Sequence, residues 1–469
     1  MRRDGQGLEL SNADEGAVAA LDFVRQEWLA FGNRFATFIA AADKEERCLM
    51  LPLVAAGLML TMYSDESHAA AQRYLARAQA MAAGANAREQ AWLAAIESWV
   101  DGNLDRSADT FEKVVTEWPR DLLAAKLAQL HAFNRGDSES LLRIGEQIAA
   151  ANDSRFVLAM HAFGLEECNR LDEAEALARK AVALDRRDPW AHHAIAHCLE
   201  ARGKMLEGVA FLQSMSDTWA DCNSFMSTHN WWHLALFLID LDRPDEALAL
   251  YDQRVWGVWK EFCEDQINAV SLLARLELRG VDVGSRWADL ATYLKPRLHE
   301  HYSAFHDVQY LYGLARAGEQ SAVTEMLASL EDRAERAKPF ERETWADCAV
   351  PLAHGLAAHA KGEHANAARL IGRAMPHLRT LGGSIAQRAL FGAIHLDALT
   401  RSGWNDAALA ILQADERERP SVAATKRALA DLYKKVGRTE QALAAEYQAE
   451  QLARRYKAAA QRGMKGETA

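Results

Sequence analysis

The chain has 469 residues, 50% hydrophobic and 26% charged, which supplies a large core and excludes wholesale disorder. Its net charge is −12, from 54 Lys and Arg against 66 Asp and Glu, and no basic stripe occurs, so nucleic acid is not an expected partner. Only 9 prolines, an excess of Ala and Leu, and the lack of period-two β-branched runs predict a nearly all-helical fold.

The first residues, MRRDGQGLELSNADEG, lack the apolar stretch of a secretory leader. The longest apolar run, CLMLPLVAAGLMLTMY from Cys48 to Tyr63, contains Pro52 and Gly57. It falls short of the ~20 residues that span a bilayer and reads as a buried helix, with no membrane contact expected. Six scattered cysteines without a C-x-x-C pair suit free thiols and a cytoplasmic location.

From Gly102 onward, short polar breaks recur at Gly102, Gly136, Asn169, Gly203, Asp242, Gly280, Gly318, Gly362, Gly403 and Gly437. The steps are 34, 33, 34, 39, 38, 38, 44, 41 and 34 residues. A period near 34 is that of the tetratricopeptide repeat, a helix-turn-helix hairpin. Taking each break as repeat position 15 puts small residues at position 8 in many units: Ala95, Ala162, Ala196, Ala235, Gly355 and Ala430. The units at Gly136, Gly280 and Gly318 fit this phase poorly and rest on spacing and helicity. The expected architecture is an all-α, tetratricopeptide-like right-handed superhelix of about ten or eleven hairpins, with over twenty helices. It divides into irregular hairpins over 1–87, the best-phased repeats over 88–257, and longer repeats with a frayed tail over 258–469.

First helices of such hairpins line the concave wall, with positions 2, 5, 9 and 12 facing the groove. In DPWAHHAIAHCLEARG, His193, His197 and Glu200 fall on one helical stripe at i, i+4 and i+7. In the next unit, STHNWWHLALFLIDLD, His229, Trp232 and His233 occupy positions 2, 5 and 6, whereas Glu166 and Glu167 hold positions 12 and 13 of the preceding unit. His192, at position 4, points into helix packing. Trp190, Trp231, Trp256 and Trp259 read as core, and Trp232 as a groove wall. His306, Asp307 and Arg388 lie in or near later first helices, from which a superhelix can carry them across the groove. The insertion SDTWADCNSFMST before His229 should lie near the rim.

This clustering has three readings. It can bind a ligand or partner; it can serve acid–base chemistry, because crowded titratable groups shift one another; or it can hold a divalent metal on His193, His197, His229 and His233. In an enzyme, His193 or His233 would be general base, Glu200 or Glu166 would orient it, and Arg388 would hold an anionic substrate. No P-loop, G-x-G-x-x-G or G-x-S-x-G motif is in a supporting context. Carboxylate-gripping repeats place Lys, Asn and Arg where this chain has His and Trp, so an acidic-tail co-chaperone role is disfavoured.

The strings H-H-x-x-x-H-x-x-E (His192 to Glu200), H-N-x-W-H (His229 to His233) and GGSIAQRALF resemble the bacterial branch of the tetratricopeptide repeat protein 38 family over roughly residues 5 to 440. The resemblance implies an all-helical cytoplasmic repeat protein and marks His193, His197, Glu200, His229, Asn230, Trp232, His233, Gln387 and Arg388. The family often has His after Gly-Gly-Ser, where this chain has Ile385. The resemblance carries no family-wide chemistry. The leading expectation is therefore binding of a small polar ligand, or of a protein or peptide, in a concave His/Glu/Trp groove without a required cofactor. The alternative is an enzyme using the same cluster. Oligomeric state is not readable.

Overall fold

The structure, a computed structural model, describes residues 2–464, with side chains to 458; Met1 and the end of the expected C-terminal tail lie outside it. Twenty-four α-helices follow one small antiparallel pairing of Arg2–Arg3 with Glu9–Leu10. Consecutive helices pair into hairpins that stack as a tetratricopeptide-like superhelix, as the period predicts. The apolar run after Cys48 becomes the buried helix Met50–Leu60. No described helix is long and apolar enough to cross a membrane.

One local device sets the repeat. All ten expected breaks adopt left-handed backbone, with φ between 59° and 79°. Each closes the preceding helix with a Schellman bond, such as Arg170 N to Leu165 O at 2.8 Å and Arg243 N to Leu238 O at 2.8 Å. Eight of these positions are glycine; Asn169 and Asp242 are the residue types that tolerate this conformation best after it. The poorly phased units at Gly136, Gly280 and Gly318 make the same turn, because the turn needs only a residue that accepts positive φ. Ala95, Ala162, Ala196 and Ala235, all at position 8, have no exposed surface. One apolar core runs from Leu10 to Phe163 and a second from Ala162 to Tyr456.

The superhelix closes on itself. Tyr63 O accepts from Arg297 Nη1 at 3.1 Å, and Tyr302 Oη donates to Asp65 at 2.9 Å. Lys338 Nζ donates to Gly102 O at 2.9 Å, and Arg379 Nε donates to Gly136 O at 2.5 Å. A Cβ on Gly382 would stand 2.5 Å from Asn134 O, and one on Gly136 would collide with the Arg379 backbone. The groove expected to be open is thus covered at this level by the later hairpins.

Closure predicts a difference between two otherwise equivalent turns. Gly403 has open space around its Cβ direction, so Gly403→Ala should cost roughly 1–2 kcal/mol of backbone strain alone. Gly136→Ala adds displacement of Arg379 and should cost at least twice that in chemical denaturation. Its radius of gyration in small-angle scattering should also rise, whereas that of Gly403→Ala should not.

Candidate functional site

Four successive first helices build the centre: Arg155–Glu167, Pro189–Ala201, Ser224–Asp240 and Cys263–Leu278. Asp188 caps the second, accepting from Trp190 N and Ala191 N at 3.1 Å each, with Pro189 in the first turn. Asn223 caps the third by accepting from Met226 N at 3.0 Å. These caps fix the rotation of both helices, and i, i+4 spacing then lays His193 over His197 and His229 over His233 on facing stripes.

The four rings meet. Centroids lie 4.4 Å apart for His193 and His197, 4.6 Å for His197 and His233, 4.8 Å for His229 and His233, and 5.0 Å from His193 to both His229 and His233. One nitrogen from each lies within 4.8 Å of every other. None of the four is more than 2% exposed. His197 Nε2 and His193 Nε2 are 3.0 Å apart, and His197 Nδ1 lies 3.3 Å from Glu166 Oε2. His229 Nδ1 meets Asn268 Oδ1 at 2.9 Å. His233 Nδ1 lies 3.5 Å from Glu200 Oε2, and neither of its nitrogens has a hydrogen-bond partner.

Burial, reinforced by the neighbouring imidazoles, pushes His193 and His233 well below the ordinary histidine value and His229 to about 3. Burial opposes a charge on His197 too, but Glu166, Glu167 and Glu200 outweigh it and lift that ring to about 9. At neutral pH the quartet therefore holds one imidazolium, which donates toward His193 on one side and Glu166 on the other.

His193 and His229 also border a partly open cavity of about 180 Å³. Its wall holds eight aromatic rings, among them Trp28, Phe31, Tyr63, Phe163, Trp190 and Phe225, interrupted by Lys126, Asn223, Glu264, Ser384 and Gln387. Phe31, Trp190 and His193 form a continuous stack, with centroid spacings of 5.1 and 4.4 Å. Lys126 Nζ sits 4.1 Å from the centroid of Phe31 and 4.4 Å from that of Trp190. Phe31 and Tyr63 reach the wall from left-handed backbone, with φ of 53° and 47°.

Several expected site residues lie elsewhere. His233 is sealed behind the other rings and does not meet the cavity, so it cannot be the base for a molecule held there. Glu200 lies 3.5 Å from that hidden ring and does not line the cavity. Trp232 does not wall the cavity; it is fully buried and stacks behind His229 at 5.0 Å. Asn230 turns into helix packing, donating to Pro189 O at 3.4 Å. Arg388 donates to the carbonyls of Gly382 and Gly383 and lies 3.9 Å from Glu167, so it is not free to hold a substrate anion. His306 bonds Glu264 at 3.2 Å beside the cavity, whereas Asp307 faces His301 at 2.8 Å. His192 packs as expected, accepting from Trp219 Nε1 at 3.1 Å. The insertion before His229 does reach the rim: Asn223 N donates to Phe31 O at 2.6 Å.

The sequence reading missed Trp190, Phe163 and Lys126, although repeat positions 2, 9 and 5 place all three on the groove face. Phe31, Tyr63 and Asn268 carry no comparable signal.

The sequence matches no family model. Among solved structures, the chain is similar to a human IFIT1 dimer with PPP-AAAA, at 13% identity and TM-score 0.40, over 85% of this chain and 91% of that one. It is also similar to a human IFIT1 dimer with m7Gppp-AAAA (14%, TM-score 0.40, over 96% and 98%) and to the APC/C hetero-tetramer Cut9-Hcn1 (14%, TM-score 0.35, over 94% and 89%). These likenesses concern helical repeat architecture and say nothing of ligand.

Burial lowers Lys126 from 10.5 to about 7. Between those values the unfolded chain holds more protons than the folded one, so this lysine's penalty is felt near neutrality and fades as pH rises. Lys126→Met should therefore melt roughly 2 °C or more above wild type at neutral pH. That advantage should vanish in thermal melts as pH approaches 10.5.

Proposed function

We propose that this protein is a cytoplasmic repeat scaffold that binds one small ligand, a flat apolar body with a single acidic group, in the cavity between its first, middle and last hairpins. The observation that carries this reading is the aromatic wall broken by Lys126. Stacked rings favour a planar apolar body, and a poorly solvated ammonium favours an anion. Glu264, the acidic group in the wall, is engaged by His306 at 3.2 Å. The modest volume, about 180 Å³, favours a small molecule over a peptide, and the aromatic lining favours an apolar body over the compact polar ligand expected from the histidines. Two aromatic residues held at positive φ support a recognition role, since such strain persists where surrounding structure requires it. The two histidine strings that border this wall also support membership in the bacterial branch of the tetratricopeptide repeat protein 38 family.

A second reading, an enzyme, is favoured by one observation. His193, an uncharged imidazole in a crowded titratable cluster, lines the cavity, which is the placement a general base needs. Conversion of a retained compound, rather than its release unchanged, would distinguish the two.

The binding reading is tested with indole-3-carboxylate and its neutral carboxamide by calorimetry. The acid should bind at least tenfold more tightly than the amide in wild type, and Lys126→Met should erase that preference while keeping amide binding. Leu130→Trp, which fills the cavity from the helix Leu122–Asn134, should abolish both. Equal binding to wild type and Leu130→Trp would refute the cavity as the site.

A further inference from the structure

We propose that His193, His197, His229 and His233 hold one divalent first-row transition-metal ion through their Nε2 atoms. Three features of the quartet point the same way. First, the nitrogens already converge: each residue offers one within 4.8 Å of all the others. Zinc–imidazole bonds of 2.0–2.1 Å in a tetrahedron would set these atoms roughly 3.4 Å apart, a contraction that side-chain torsions can supply.

Second, the outer faces of the rings are held as metal-binding imidazoles are held. His197 Nδ1 lies against Glu166 at 3.3 Å, His229 Nδ1 against Asn268 at 2.9 Å, and His233 Nδ1 against Glu200 at 3.5 Å. The hydrogen bond at His229 and the two carboxylates facing His197 and His233 favour tautomers that leave Nε2 to point inward. Carboxylate and amide groups behind a ligating histidine serve this purpose in metal sites.

Third, one inward atom is left unsatisfied without an ion. His233 has no exposed surface, and its Nε2 has no hydrogen-bond partner. One contact at 3.0 Å is the only hydrogen bond between rings of the quartet. A buried polar atom without a partner costs about 1–3 kcal/mol, so four imidazoles aimed at one another make a poor structural core but a good ligand set.

Imidazole-only donors suit zinc, copper, iron or nickel rather than calcium or magnesium. Every other grouping of ligating side chains among the described residues has fewer imidazoles: two, those with Cys263 and with His359, contain half-buried members, and the fully buried set Glu166, Glu167 and His197 has a single ring. Because His193 and His229 also border the cavity, the ion would sit in its floor, where a ligand's acidic group can approach. Metal uptake does not depend on the cavity reading, since it needs no organic ligand.

The test uses the full chain, stripped with EDTA and titrated with Zn²⁺ alone. One equivalent should bind more tightly than micromolar. His197→Gln and His233→Gln should each weaken uptake at least a hundredfold, and Glu166→Gln by roughly 10–100-fold. His131→Gln, which removes a comparably buried imidazole outside the quartet, should leave uptake unchanged. X-ray absorption at the zinc edge of wild type should report three or four imidazole nitrogens, a readout that stands even where a variant fails to fold. Absence of stoichiometric uptake, uptake by His197→Gln and His233→Gln equal to that of wild type, or a zinc shell with two imidazoles or fewer would each overturn the proposal.

Discussion

Four imidazoles share a space from which water is excluded, and that exclusion governs the middle of this protein. Imidazoles crowded in a dry interior repel further charge, so only the ring nearest the carboxylates, His197, keeps a proton. Glu166 and Asn268 then fix ring rotation from outside, on helices one repeat to either side. The arrangement needs four adjacent helices in register, because a one-residue slip in either central helix would turn its histidine pair away by about 100°. The ten left-handed turns matter for this reason. Each ends a first helix at the same repeat position and so holds successive stripes in phase.

Closure of the superhelix also shapes the partly open cavity beside these rings. Hairpins near the start meet hairpins near residues 297–302 and 379–383 through backbone carbonyls and glycines, contacts that tolerate little side-chain bulk. Covering the groove desolvates Lys126 and draws Phe31 and Tyr63 into unfavourable backbone. Both features lower stability and both line one cavity. A chain shaped by packing alone would place an apolar side chain at 126 and glycine or asparagine at the two aromatic turns. Their joint presence is what the proposed binding role would account for.

Repeat phase was legible because it depends on local chemistry: where positive φ is tolerated, where only alanine fits, and which side chains recur every turn. It selected His193, His197, His229 and His233 as one group, and it put Glu166 beside them. The same phase contained more than composition suggests. Position 2 assigns Trp190 to the groove even though tryptophan is ordinarily core, and position 5 does so for Lys126 in a unit whose remaining residues match the repeat weakly. Phase states which face a residue occupies, not how deep it sits. Hence Trp232 and His233 share a face with His229 yet lie behind it, and Arg388 lies near the groove yet is consumed by the carbonyls of its own loop.

By itself the amino-acid sequence determined the helical hairpins, their turns and the pairing of histidines along two helices, since each follows from interactions within about one repeat. Tertiary structure alone decided that the groove closes, that Phe31 and Tyr63 reach across to Trp190 and His306, and that the imidazoles sit beneath an aromatic chamber instead of facing open solvent. Those outcomes depend on the small rotation between neighbouring hairpins summed over the whole array. No local pattern encodes that sum, because each step is set by side-chain packing between repeats.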